Sequence, residues 1–349
     1  HTAELERSLP SGEREILKDR LSQLREAMDL RPFESERFHE SLSKADDAVE
    51  AYLSRWRKGE LREYGESIAI AVAVALLLRA FVVEAFKIPS RSMVPTLAVG
   101  DHIFVNKFAY GPMIPGTHSR LLSRMPPSRG DVIVFQFPER PEQDFIKRTI
   151  AIPGDVLEAY DGRPAINGWP VPRCKVGAFS YQETESGYSS NHSGELFMEY
   201  LGKESYLTFF DQTSMSTVSR SSCKVDSDCQ QQLSGSRCME GYCAEYQGPY
   251  KVKPGEVWVM GDNRNNSHDS RGWFDGRGGG VPFDNIRGRA LFVWMSFNQT
   301  NSIAWDRIGV SVMGRPKLPV NDEARLHDRV SECLKNRPSV ELTTPPPAK

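Results

Sequence analysis

Two stretches near the start of the chain place apolar residues at helical spacing. Leu17, Leu21, Leu24 and Met28 follow a four-three-four rhythm with Pro32 just beyond, and Leu42, Ala45, Val49, Leu53 and Trp56 share one face of a second run. Each has too few heptads for a long coiled coil. Residues 1–66 are therefore predicted to form a charged helical hairpin, with a docking face for an unknown partner as the alternative reading. At Ser67 the pattern changes: Ile68 to Leu78, IAIAVAVALLL, is eleven residues without a polar side chain. As a helix at ~1.5 Å per residue this run covers only about half of a ~30 Å hydrocarbon core. Extending it through Phe81, Val82 and Val83 gives ten Leu, Ile, Val or Phe side chains, which at about −0.3 to −0.6 kcal/mol each roughly offset Arg79 at about +3 kcal/mol. Arg79 is off-centre and can snorkel to the interface. A single transmembrane anchor over 67–86 is predicted in preference to a buried soluble helix. Arg55, Arg57, Lys58 and Arg62 flank its N-terminal side, which assigns that side to the cytoplasm and everything after Ile88 to the exported side.

Beyond the anchor the periodicity becomes that of strands. HIFVNKF, DVIVFQF, FIKRTIAI, SYLTFF, EVWVMGD and ALFVWMSF are short, rich in β-branched and aromatic residues, and separated by Gly, Pro, Asn and Asp. The expected fold class is mainly β. Residues 87–173 and 251–314 form two parts of one exported β domain, interrupted by an inserted second β subdomain at 174–250 that is rich in Ser, Tyr and Cys. The tail, 315–349, is expected to hold a short helix around Asp322 to Leu334 and then disordered chain. The apolar stretch Tyr110 to Met125, with Met113, Ile114, Leu121 and Leu122, reads equally as an interfacial dip or a surface loop.

Composition narrows the function. A length of 349 residues favours about two domains. The 44 basic and 46 acidic side chains leave a net charge of −2, so no global field attracts nucleic acid. Hydrophobic residues at 39% and a mean hydropathy of −0.47 exclude a polytopic membrane protein and a mostly disordered one. Four of the six cysteines fall between Cys223 and Cys243 in a C-x5-C-x8-C-x4-C pattern. An oxidising location favours two disulfides, in any of three pairings, over a zinc site, because no C-x2-C spacing or nearby histidine supports metal. Cys174 and Cys333 pair with each other or stay free.

Three blocks carry chemistry. Ile88-Pro89-Ser90-Arg91-Ser92-Met93-Val94-Pro95-Thr96-Leu97 sets two hydroxyls between two prolines that stiffen the backbone. Asp144-Phe145-Ile146-Lys147-Arg148-Thr149-Ile150-Ala151-Ile152-Pro153-Gly154-Asp155 puts a lysine inside an apolar strand, where it is costly unless used or neutral. A serine nucleophile needs a base, and the seven histidines, His1, His39, His102, His118, His192, His268 and His327, stand in no obvious triad frame. Lysine can serve if its pKa of ~10.4 falls by roughly three units, within the range that apolar burial produces. The S-x-x-K spacings Ser41 to Lys44 and Ser221 to Lys224 have no accompanying K-T-G and are read as accidents. In the third block, Gly261-Asp262-Asn263-Arg264-Asn265-Asn266-Ser267-His268-Asp269-Ser270-Arg271, the composition is that of a hydrogen-bonded turn. Ser267 is nonetheless able to hold a neutral amine, and Asp269 with Arg271 to form a supporting ion pair.

Together and in this order, the blocks resemble the bacterial type I signal peptidase (leader peptidase) family over Ile68 to Phe297. The resemblance implies a serine endopeptidase with Ser92 as nucleophile, Lys147 as general base and Ser90 as oxyanion donor. It also implies that Ser267 orients the lysine and that Asp269 and Arg271 support it. Ile88, Pro89, Met93, Leu97, Phe145 and Ile146 would line shallow substrate pockets. The implied substrates are signal-peptide-bearing preproteins cut after a small-x-small motif, and the implied setting is a single-pass protein of the bacterial inner membrane. Its N-terminus would be cytoplasmic, its catalytic domain exported and in contact with membrane lipid, with no cofactor and no metal. One departure stands out: Gly272 precedes Trp273 and Phe274, and a DGRGGG stretch follows, so the loop there differs from the family pattern. A membrane-anchored scaffold without turnover is the competing reading, disfavoured by the intact set of serines and lysine.

Overall fold

The computed structural model describes residues 9–54, 60–111, 125–185, 188–211, 221–230, 235–298, 300–318 and 324–348. Most of the Tyr110 to Met125 stretch, and Arg55 to Lys58, lie outside them. The chain divides into two compact units, His1–Leu76 and Leu77–Lys349.

In the first unit α1 (Ser11–Asp29) and α2 (Ser35–Leu53) pair as a hairpin. The buried seam is Ala27, Ala45 and Ala48, while Leu21, Met28, Leu42 and Val49 remain exposed. Small side chains let the helices approach closely, so the alanines rather than the longer side chains occupy the contact. The next helix, α3 (Glu60–Phe81), includes the apolar run. Among the described residues no helix is long and apolar enough to cross a membrane. The helix also stops short of the predicted 86, because Val83 opens a strand paired with Asp101–Asn106. Consecutive Val82 and Val83 favour that change, and Lys107 holds Glu84 at 3.2 Å.

The second unit is mainly β, as expected, and its strands pair antiparallel. Its described strands are β1 (Val83–Lys87), β2 (Asp101–Asn106), β3 (Val132–Phe137), β4 (Arg140–Ala151), β5 (Val156–Tyr160), β6 (Arg163–Ile166), β7 (Trp169–Pro170), β8 (Arg173–Glu185), β9 (Tyr188–Leu201), β10 (Glu204–Asp211), β11 (Ser236–Met239), β12 (Tyr242–Lys251), β13 (Glu256–Met260), β14 (Val281–Pro282) and β15 (Ile286–Ser296). They form a seven-stranded sheet, β1-β2-β15-β3-β4-β13-β14, a five-stranded sheet, β11-β12-β5-β6-β7, and a three-stranded sheet, β10-β9-β8. The β3–β4 register pairs Ile133 with Lys147 and Val132 with Arg148, which fixes the lysine over the sheet centre. One core cluster, with Ile88, Met93, Leu97, Val105, Val134, Ile146 and Val293, lies beneath the serine segment.

The cysteine segment, with its short helix α4 (Asp226–Gln230), is closed by Cys223–Cys238 and Cys229–Cys243. Cys223, Cys229 and Cys243 cluster, but each sulfur is bonded in a disulfide, leaving no thiolate for a metal. A third bridge, Cys174–Cys333, joins β8 to α5 (Ala324–Lys335), whose Leu326, Val330 and Cys333 are buried. The tail beyond α5 is ordered, against expectation. Arg337 Nε donates to Ser205 Oγ at 2.9 Å, Gly202 N to Thr343 O at 2.7 Å, and Asn167 Nδ2 to Pro346 O at 2.6 Å. Its polar composition suggested solvated chain, but backbone and side-chain groups far away in sequence satisfy it.

Candidate active site

Strand alternation on β4 sends Lys147 to the face opposite Ile146 and Arg148, and the turn after β1 brings Ser92 against it. Lys147 Nζ donates to Ser92 Oγ at 2.8 Å and to Ile146 O at 2.9 Å. Both residues are buried. Ser90 Oγ, on the exposed side, lies 3.4 Å from Ser92 Oγ. Among the described residues no histidine hydrogen-bonds Ser92. Burial pulls the Lys147 ammonium down to about 8, with Asp269 and Asp262 opposing the shift more weakly. With its pKa at about 8, the buried amine is neutral in a growing share of molecules as pH rises past neutrality, and in that form it can accept the proton of the Ser92 hydroxyl.

The third block buttresses this pair. Arg271 Nε and Nη2 each donate to the Asp269 carboxylate at 2.8 Å, and Gly261 N donates to Asp269 Oδ2 at 2.9 Å. Burial pushes the Asp269 carboxyl up, but Arg271 and the Gly261 amide outweigh it and hold the group below its ordinary range. Ser267 Oγ is buried and makes no hydrogen bond to Lys147, so the expected Ser267–Lys147 bond is not formed; its hydroxyl instead helps hold the Asp269 carboxyl low. A Cβ on Gly261 would sit 2.2 Å from Ser267 Oγ and 2.5 Å from Ser92 O. Gly261→Ala is therefore expected to displace the serine segment and lower peptide cleavage by about 100-fold, checked by initial rates with circular dichroism confirming the fold.

The cleft beside Ser92 has a volume of about 650 Å³. Pro89, Phe145 and Ile146 line it, together with Phe179, Tyr181 and His268. Ile88, Met93 and Leu97 lie behind that lining, fully buried in the core. Trp273 is fully buried against Phe135 and Phe137, and Phe274 and Asp275 both take left-handed backbone (φ 54° and 56°) where the family pattern is interrupted.

The structure adds residues that the motifs did not single out. Arg148 donates to both Asp262 oxygens, at 2.8 and 2.7 Å, with both side chains buried. Asn263 N donates to Ser92 O at 3.0 Å, and its Nδ2 to Arg91 O and the Tyr181 hydroxyl. Arg264 forms a fully buried pair with Glu199 of β9, and a parallel bridge joins Phe209 of β10 to Asn263. The three-stranded sheet thus holds the loop of the third block. Charged residues in apolar segments were the available signal, but their partners lay 114 and 65 residues away.

The sequence pattern of one family, described as "Signal peptidase, peptidase S26", matches residues 61–295. The chain belongs to the signal peptidase family. The chain is 37% identical over 263 residues to the signal peptidase I of Pseudomonas fluorescens, covering 74% of this chain and 80% of the relative. It is 36% identical to the Pseudomonas aeruginosa protein, with 72% and 79% coverage, and 33% identical to that of Aquifex aeolicus, with 68% and 85%. Signal peptidases of this family are serine peptidases, and this chain is a hydrolase of that kind. The family match ends before the ordered tail but includes the whole cysteine segment.

Proposed function

We propose that this signal peptidase is a membrane-anchored endopeptidase that removes N-terminal signal peptides from exported preproteins after a small-x-small motif. Ser92 is the nucleophile and Lys147 its general base. The observation that carries the reading is the buried 2.8 Å contact between Lys147 Nζ and Ser92 Oγ. Ser92 Oγ attacks the scissile carbonyl and its proton passes to the neutral Lys147 amine. The lysine then protonates the leaving amine, and water cleaves the acyl-serine. Ser90 Oγ, with the Ser92 amide, receives the oxyanion, a role worth about 3–4 kcal/mol per donor in other proteases. Ser267, which makes no direct bond to the amine here, positions the loop behind the dyad, and Asp269 with Arg271 keeps that loop in place. The substrate lies extended along the Ser90–Ser92 and Asp144–Lys147 segments. Pro89, Phe145 and Ile146 restrict it to small side chains, with Ile88, Met93 and Leu97 supporting that wall from behind.

Anchoring rests on α3. Ile68, Ile70, Val72, Val74, Leu76 and Leu77 are each between 49% and 64% exposed, an apolar surface on every side of the helix that water disfavours and lipid accommodates. From Ser67 to Phe81 the helix rises about 22 Å, short of a ~30 Å core, so flanking side chains snorkel or the bilayer thins. On this reading 1–66 is a cytoplasmic hairpin, and 87–173 with 251–314 the exported catalytic domain around the 174–250 insert.

Incubating the full chain in detergent with a signal-bearing preprotein and locating the cut by mass spectrometry tests the proposal. The expected result is one cut after a small-x-small sequence, absent with Ser92→Ala, at a rate that rises as pH approaches about 8 and then levels. Binding without cleavage, or cleavage by the Ser92→Ala chain, would overturn it.

A further inference from the structure

One of the histidines that stand in no triad frame along the sequence enters one in the fold. Ser190 and His192 are two residues apart on β9, so they share a face, and Asp211 ends the adjacent β10. His192 Nδ1 lies 2.8 Å from Asp211 Oδ2, and His192 Nε2 lies 3.2 Å from Ser190 Oγ. A carboxylate only accepts, so in the neutral imidazole Nδ1 carries the hydrogen and Nε2 faces the serine hydroxyl as acceptor. Asp211 is fully buried, the His192 side chain is 14% exposed, and Ser190 is open to solvent. Tyr181 stacks on the imidazole, with ring centroids 5.0 Å apart and planes at 16°, and Asn263 in turn holds the Tyr181 hydroxyl. Base, orienting carboxylate and accessible nucleophile thus have the order and spacing that activates a serine.

We propose that Ser190, His192 and Asp211 form a second nucleophilic site, separate from Ser92 and Lys147, that takes acyl groups from small activated esters such as aryl esters and thioesters. Ser190 Oγ bonds to the acyl carbon as its proton moves to His192 Nε2. The ester C–O or C–S bond breaks, and the leaving group departs with that proton. Water then attacks the acyl-serine, releasing the carboxylic acid and returning a proton to Ser190. The substrate class follows from exposure: at Ser190 the oxyanion meets water rather than enclosed donors, each of which is worth about 10²–10³ in rate, so peptide bonds are out of reach.

The test uses the full chain in detergent with Ser92→Ala, which removes the first nucleophile, treated with p-nitrophenyl acetate or a fluorophosphonate. Peptide mapping is expected to place the acetyl or phosphonyl group on Ser190. His192→Gln is expected to slow that labelling by about 100-fold or more, and Asp211→Asn, which reverses the tautomer, to a similar extent. Absence of a label on Ser190 would overturn the proposal. So would labelling at an unchanged rate in His192→Gln, since Ser190 would then be an ordinary surface hydroxyl.

Discussion

Replacing Lys147 by methionine is expected to lower kcat/KM for preprotein cleavage by about 10⁴-fold or more and, at neutral pH, to stabilise the protein. The first effect follows from the proposed role of Lys147 as the base that receives the Ser92 proton; removing one member of a nucleophile–base unit costs about as much as removing all of it. The second follows from burial. The Lys147 ammonium has an ordinary pKa of 10.5, and burial lowers it to about 8 in the folded chain. Between those values the unfolded chain holds a proton that the folded chain has released. Stability therefore falls as pH drops from about 10.5 to 8, and below 8 the full penalty, about 3 kcal/mol, is present. Methionine carries no such penalty. Urea unfolding at pH 7 is expected to give Lys147→Met the higher midpoint, with the advantage gone near pH 11. Retained cleavage by this variant would remove the lysine from the mechanism.

Asp262→Ala is expected to destabilise the protein by about 3–5 kcal/mol, because it leaves the Arg148 guanidinium buried without its carboxylate. Cleavage is expected to fall by about 100-fold as well. The Thr96 hydroxyl loses its acceptor, and the loop that ties Asn263 N to Ser92 O loses its anchor. Replacing both charges together, with Arg148→Met and Asp262→Leu, is expected to recover most of the stability without recovering activity. Denaturant midpoints and initial rates on the same preparations separate the two effects. A cost below about 1 kcal/mol for Asp262→Ala would mean that water reaches Arg148 and that the pair does not organise the site.

The candidate site was legible before the fold because its residues lie in contiguous blocks. A lysine flanked by Phe145, Ile146, Thr149 and Ile150 is anomalous on the strand alone, and two serines between Pro89 and Pro95 are constrained by local backbone chemistry. The strands were legible for the same reason, since alternation and turn residues are nearest-neighbour properties. The end of α3 was harder to place, because Val82 and Val83 suit a lipid-facing helix as well as a strand, and pairing with β2 decided between them. The tail looked disordered because its composition carries no trace of Gly202 and Asn167, which hold it.

The sequence by itself determined the mainly β class, the three motif blocks and their order, and the apolar run that precedes them. Tertiary structure alone decided which polar groups distant in the chain meet. It paired Arg148 with Asp262, Arg264 with Glu199 and His192 with Asp211, chose among the three cysteine pairings, and moved Ile88, Met93 and Leu97 behind the cleft. Such pairings depend on which strands become neighbours once long loops close, and that is set by the packing of the whole core rather than by any local pattern.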